Sequence, residues 1–242
     1  MPQGFNPENW ALYAYKDDGK SVFVLYDWQK FVSLVRWNVK EEQQVDYEEA
    51  MNVVGSFISL EPPDASTGQC DGAWSVGNSA RNAKYPGMGR VIYKLASAYM
   101  GVPLTSDRHE TSSDDALALW QRLDRDPDMQ ATPEFDHFLG KQRLGTKDSD
   151  FAKISEPRTP STHDDCSLSR NGHDTFEKGL KTKNTGMAAP FVQRHKKAML
   201  MLNKFYSAKA LEQLLADAGM AVFYVEYDLN ESFKISSVLF PQ

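Results

Sequence analysis

Cysteine is scarce: only Cys70 and Cys166 occur in 242 residues. Their spacing fits no zinc or redox motif, which excludes a thiolate metal knuckle and a Cys-x-x-Cys centre. A disulfide would need the fold to bring the two together. Long apolar runs are missing too. None approaches the ~20 residues of a membrane-crossing helix. The start, Met1 to Phe5, lacks the basic and apolar regions of a secretory signal. These absences predict a cytoplasmic chain with no membrane partner. Positive charge is also short: 27 Lys and Arg stand against 33 Asp and Glu, a net charge of -6. That balance argues against non-specific nucleic-acid binding, which needs an excess of cations on some face.

What is present suits a globular domain. Hydrophobic residues make up 41% and charged residues 25%, near the usual mixture, and the length supports a real core. Trp10–Tyr15 and Ser21–Tyr26 are aromatic and β-branched runs around a Gly19 turn, a hairpin signal. Apolar residues at 28, 31, 32 and 35 predict a helix. Val53–Leu60 reads as a strand stopped by Pro62 and Pro63. Gly72–Gly77 reads as a short strand, Asn78–Pro86 as a loop, and Met88–Met100 as a helix ended by Gly101. Val102–Thr105 predicts a short strand. Ser112 to Asp115 resembles a capping box, with Asp115 at its fourth place, opening a helix through Leu123.

Gly145–Gly186 is rich in Ser, Thr, Asp, Lys, Gly and Pro without a period. It reads as a polar excursion that a protein partner or a second copy would order. A helix follows from Pro190. Ser207–Ala218 reads as another, stopped by Gly219, with strands at Met220–Tyr227 and Phe233–Phe240. The expected division is a core over 1–144, a polar insert over 145–186, and completing elements over 187–242. Strand, helix and strand at the centre predict an α/β sheet with a βαβ unit.

The chemistry concentrates between Ala73 and Leu123. A strand leads into Lys84-Tyr85-Pro86-Gly87-Met88-Gly89-Arg90, where a helix begins. A helix start presents unpaired N–H groups and the positive end of the dipole, and glycines let an anion approach the backbone. This predicts a phosphate site, with Arg90 and Lys84 adding charge. The spacing matches neither the dinucleotide fingerprint nor the P-loop.

It resembles the [RQ]-x-x-G-x-[GA] pyrophosphate loop of the GNAT (Gcn5-related N-acetyltransferase) superfamily. Ser113-x-x-Ala116-x-x-Leu119-Trp120 is similar to that family's N-x-x-A-x-x-[LF]-Y segment. Ser106-Asp107-Arg108 ahead of it resembles phage-encoded GNAT-like proteins. The resemblance implies a mixed, mostly antiparallel sheet flanked by helices, with acetyl-CoA as co-substrate and no metal. It implies that Trp74, Val76 and Asn78 flank the pantetheine. Lys84, Tyr85, Gly87, Met88, Gly89 and Arg90 would hold the pyrophosphate, and Ser113 and Trp120 would complete the site. The acceptor would be an amine on a small molecule or a protein. Asp107 and His109, past the short strand, are the candidate general bases, with a plain loop role as the alternative. Lys84, Ser113 and Trp120 stand where the family has Arg or Gln, Asn, and Tyr. An indole N–H cannot serve as an acid. Those departures frame the alternative, a non-catalytic structural protein on the same fold, such as a virion component.

Other candidates read as structure. His163, Cys166 and His173 with their neighbouring aspartates lie in the polar excursion and are taken as solvated. His195, Tyr93 and Tyr99 read as packed residues. The basic run of Lys178, Lys181, Lys183, Arg194, Lys196 and Lys197 reads as a solvated face, or as contacts to an acidic partner or the CoA 3′-phosphate. The N-terminal aromatics read as core, with an interface as the sharper option.

Overall fold

A computed structural model describes residues 5–63, 72–107, 113–132 and 179–239. After a short 3-10 turn at Pro7–Asn9, strands β1 (Trp10–Asp17) and β2 (Lys20–Asp27) form a hairpin. Asp18 and Gly19 both take positive φ, 43° and 79°, the twist-matched two-residue turn that Asp-Gly favours. Helix α1 (Trp28–Lys40) starts at once, its first turn capped by Asp27, which accepts from the Lys30 N–H at 3.0 Å. Short α2 (Tyr47–Met51) leads into β3 (Val54–Glu61), then β4 (Trp74–Arg81), α3 (Met88–Met100), β5 (Leu104–Ser106) and α4 (Asp114–Asp124). Strands β6 (Met129–Thr132) and β7 (Gly179–Thr182) and helices α5 (Ala189–Leu202) and α6 (Ala208–Leu239) complete it.

The seven strands form one mixed, mostly antiparallel sheet in the order β1-β2-β3-β4-β5-β7-β6. Only β4 and β5 run parallel among its pairs, joined by the α3 crossover. Both faces are covered. On one, Leu12, Phe23, Leu25, Ile58, Leu60 and Leu104 pack with Val91, Ile92 and Leu95 of α3. On the other, Val22, Val24, Tyr26 and Phe57 meet Phe31 and Val35 of α1, Leu202 of α5, and Leu211 and Leu215 of α6. That double burial is why β2 reads as an unbroken apolar run. At the outer edge of β1, Arg194 of α5 donates to the Trp10 carbonyl at 3.2 Å and pairs with Glu8 at 3.0 Å.

Several expectations need correction. β4 runs to Arg81, so residues 78–81, read as loop, are strand. Ser113 rather than Ser112 caps α4, accepting from the Ala116 N–H at 3.2 Å. The expected end of a helix at Gly219 and the strands at Met220–Tyr227 and Phe233–Phe240 are replaced by one 32-residue helix, α6. Gly219 lies inside it because a Cβ there would stand 2.8 Å from Cγ2 of Val24 and 3.1 Å from Phe57. The glycine sets how closely the helix approaches the sheet, not where it stops. β6 and β7 were not foreseen, and β7 falls within the stretch read as polar excursion, with Leu180 wholly buried. Tyr93 is packed as expected, but Tyr99 is 49% exposed. Residues 145–178 of the excursion, Cys70 and Cys166 among the sequence features, and His109 lie outside the described residues. Among the described residues no helix is long and apolar enough to cross a membrane.

Candidate functional site

The site forms where β4 outruns β5. Their parallel pairing is Trp74 with Leu104, Ser75 with Thr105, and Val76 with Ser106. β5 then ends, while β4 continues through residues 77–81. At the same level the β3–β4 register slips: Leu60 pairs with Val76 but Ser59 pairs with Asn78, leaving Gly77 as the extra residue of a bulge. A bulge bends its strand and interrupts its ladder, here that of β3 with β4, and the last pair of β4 with β5, Val76 with Ser106, falls just before it. A Cβ on Gly77 would lie 2.9 Å from the carboxylate of Glu61, which holds Lys20 at 2.7 Å. The Ser59 hydroxyl accepts from the Asn78 N–H at 3.1 Å, filling part of the broken ladder.

The β4–α3 turn is held by Asn82. Its amide donates to the Met51 carbonyl at 3.1 Å, its oxygen accepts from the Lys84 N–H at 3.0 Å, and its own N–H reaches the Gly55 carbonyl at 3.0 Å. Gly87 precedes α3 with φ 85°, which an L side chain resists, and offers no side-chain cap. The first-turn N–H groups of Gly89 and Arg90 therefore have no intrahelical acceptor. Gly89 has no steric reason to be glycine, since an added Cβ would meet only Leu119, at 3.8 Å. Gly89 is the second residue of α3, in its first turn, and neither close packing nor a positive φ requires glycine there.

The expected anion-holding set is only partly available. The Tyr85 N–H donates to Asn82 at 2.9 Å, the Met88 N–H lies 3.4 Å from the Tyr85 carbonyl, and Pro86 has none. The backbone donors narrow to those of Gly87, Gly89 and Arg90. The Lys84 ammonium donates to the Asn52 side chain. The Tyr85 hydroxyl donates to the Asn52 carbonyl at 2.9 Å, and its ring meets the Trp10 ring edge-on at 5.0 Å. Lys30, which the sequence pattern did not single out, reaches the Tyr85 hydroxyl at 3.3 Å. Arg90 turns from the helix start to Asp126, 2.6 Å away.

Asp126 belongs to a buried ion network. The same carboxylate oxygen receives Lys94 at 2.6 Å, its other oxygen accepts the Asp128 N–H at 3.0 Å, and Lys94 also meets Asp128 at 2.9 Å. Burial pushes the Asp126 carboxyl up, but the bonds from Lys94, the Asp128 N–H and Arg90 outweigh it and hold the group at about 2.

The remaining candidates are dispersed. Trp74 is half-buried with the Lys16 ammonium 4.9 Å above its ring, Val76 is buried, and Asn78 is half-buried. Asp107 follows β5 directly and its charge is felt by Lys20. Trp120 is buried, 5.1 Å edge-on from Tyr93. The Tyr93 hydroxyl donates to Ser79 at 3.0 Å, and burial pushes its pKa to about 12 despite that bond. Thr105 was missed, and no motif marks it. Its hydroxyl is the one buried side-chain polar atom without a partner among the described residues, and it sits on the β5 rung beside Ser75. An unpaired buried hydroxyl costs roughly 1–3 kcal/mol unless a ligand or water satisfies it. No group of three metal-ligating side chains gathers among the described residues. Neither the family models nor the curated proteins nor the solved structures contain a match to this chain.

Proposed function

We propose that the chain is a GNAT-like acyl-CoA-dependent N-acyltransferase, with acetyl-CoA as donor and an amine as acceptor. The observation that carries the reading is the parting of β4 from β5 at the Gly77 bulge, immediately ahead of a helix whose first turn carries an unforced glycine. An extended arm with amide groups suits the stretch of β4 from Gly77 to Ala80, which β5 does not pair among the described residues, and the N–H groups of Gly87, Gly89 and Arg90 suit a pyrophosphate. The Thr105 hydroxyl, wholly buried and without a partner among the described residues, lies on the β4–β5 rung just before that seam. In the transfer, the amine nitrogen bonds to the thioester carbon, the carbon–sulfur bond breaks, and the amine proton passes to a base while the thiolate leaves. Asp107, at the end of β5, is the described candidate for that base.

Calorimetric titration with acetyl-CoA tests the reading. Saturable binding that Gly89→Asp weakens at least about tenfold supports it, since the carboxylate would face the phosphates in a position with room for it. Failure of the parent protein to bind, or equal binding by the variant, rejects it.

A second reading has its own support. Arg90 and Lys84 are engaged by protein groups, and Trp120 is buried and has no acidic proton. These favour a non-catalytic protein on this architecture, with a virion component as one such role. A purified chain that binds no acyl-CoA and forms a defined assembly supports it.

A further inference from the structure

Charge is unevenly spread along this chain. Eight of its 27 Lys and Arg lie within residues 28–40 and 189–211, and none of its 33 Asp and Glu does. Those two stretches are α1, and α5 with the segment that leads into the start of α6. The rest of the chain is therefore more acidic than the net charge of -6 conveys.

The fold joins the two stretches into one surface. Phe31 and Val35 of α1 share a core cluster with Ala198 and Leu202 of α5. The Lys197 ammonium of α5 lies 4.9 Å over the ring of Trp28, the first residue of α1. The inward faces are buried, and the outward ones are cationic. Arg36, Lys196, Lys197, Lys204 and Lys209 are exposed and form no ion pair among the described residues. The carboxylates at the border are engaged: Asp27 meets Lys30 at 3.4 Å, Glu41 meets Lys40 at 3.6 Å, Glu8 holds Arg194 at 3.0 Å, and Glu212 faces His195 at 3.6 Å.

Large apolar side chains stand among these cations. Leu200 is 71% exposed, and Lys196 and Lys197 lie one turn before it on the same helix face. Phe205 is 38% exposed beside Lys204, and Trp37 is 59% exposed beside Arg36. A single exposed apolar residue is ordinary. Unpaired cations around several of them fit a partner that carries carboxylates around apolar groups of its own. A nucleic-acid strand would use the cations, but Leu200 offers its bases no ring to stack on. The rings of Trp37 and Phe205 are each already covered on one side, by Lys40 at 5.3 Å and Lys204 at 4.8 Å. A bilayer or a long duplex extends past this face and confronts the acidic remainder of the chain, whereas a short segment meets the face alone.

We propose that the outward face of α5 docks an acidic amphipathic polypeptide segment, with its apolar side chains against Leu200 and its carboxylates on Lys196, Lys197 and Lys204. Arg36 and Trp37 of α1 extend the contact. This surface lies across the sheet from α3, so the proposal does not depend on the acyl-CoA reading.

The test is fluorescence anisotropy of the full chain with a rhodamine-labelled peptide of repeated Glu-Glu-Leu-Glu units, with oligothymidylate and phosphatidylserine vesicles as competitors. The expected result is saturable binding of the peptide. Joint Lys197→Glu and Lys204→Glu substitution should weaken it by about tenfold or more, and Leu200→Ser by about threefold or more. All three positions are exposed, so the variants spare the core, and circular dichroism checks that they fold. Failure of the peptide to saturate overturns the proposal, as does unchanged affinity in either folded variant. Tighter binding of oligothymidylate or of the vesicles than of the peptide also overturns it, by making the face a nucleic-acid or membrane surface.

Discussion

Strands β1 to β4 and strands β5 to β7 share one sheet but join it by different means. The first four are eight residues each, paired along their length and covered by apolar side chains on both faces. The last three have only three or four residues, and β5 meets β7 through the single pair Leu104 and Leu180. Polar bonds compensate for that short ladder. The Ser97 hydroxyl accepts from the Thr182 N–H at 3.1 Å, the Lys183 N–H donates to the Asp128 carbonyl at 2.8 Å, and Lys94 and Arg90 hold Asp126. Long apolar strands tolerate small adjustments of packing, whereas a short polar framework depends on each partner being present. The candidate site lies at the seam between the two parts, where a full-length strand meets a three-residue one.

Substitutions can set the two parts against each other. The largest effect should come from the apolar part: Phe57→Ala, at a residue 1% exposed between α6 and the sheet, should cost about 3–5 kcal/mol in urea unfolding. Asp126→Ala should follow at about 3 kcal/mol, because it leaves the buried Lys94 without its nearest carboxylate. A cost under about 1 kcal/mol would show that the polar framework is dispensable. Gly219→Ala should destabilise by about 1–3 kcal/mol through overpacking on Val24, although alanine is the better helix former. A rise in thermal midpoint would mean that α6 does not press on the sheet so closely.

Acid should act on the polar part selectively. The folded Asp126 value, about 2, lies below the ordinary 3.8. Its stabilisation is therefore full above about pH 4 and is lost as the pH falls toward 2, a loss of about 1–2 kcal/mol. Asp126→Asn should flatten the unfolding free energy across that window. The smallest effect should be Ser113→Ala, about 1 kcal/mol from the lost cap of α4, read from the thermal midpoint.

The readable parts of the sequence were those where local chemistry decides the structure. Asp18-Gly19 specifies its turn, Asp27 and Gly101 bound their helices, and the Gly87 turn before Met88 is visible as a motif. What escaped depends on distant partners. Met220 to Tyr227 is apolar and β-branched enough to suit a strand, yet it continues α6, and the close approach of Gly219 to Val24 and Phe57 is a contact that no local pattern shows. Gly179–Thr182 is too short for a period and lies beside polar sequence. The bulge at Gly77 is a register event between β3 and β4, and the unpaired Thr105 hydroxyl exists only once β5 is packed. The candidate site was legible as a glycine turn, but the internal commitments of Lys84 and Arg90 were not.

The contact of Arg194 with the Trp10 carbonyl bears on how this sheet stops. An outermost strand offers its free carbonyls and N–H groups as a template to any extended segment, and unguarded templates seed aggregation. The guanidinium occupies that template at the first rung of β1 and is anchored by Glu8. The chain thus carries a charged stopper, supplied from 184 residues away, against edge-to-edge pairing at that rung.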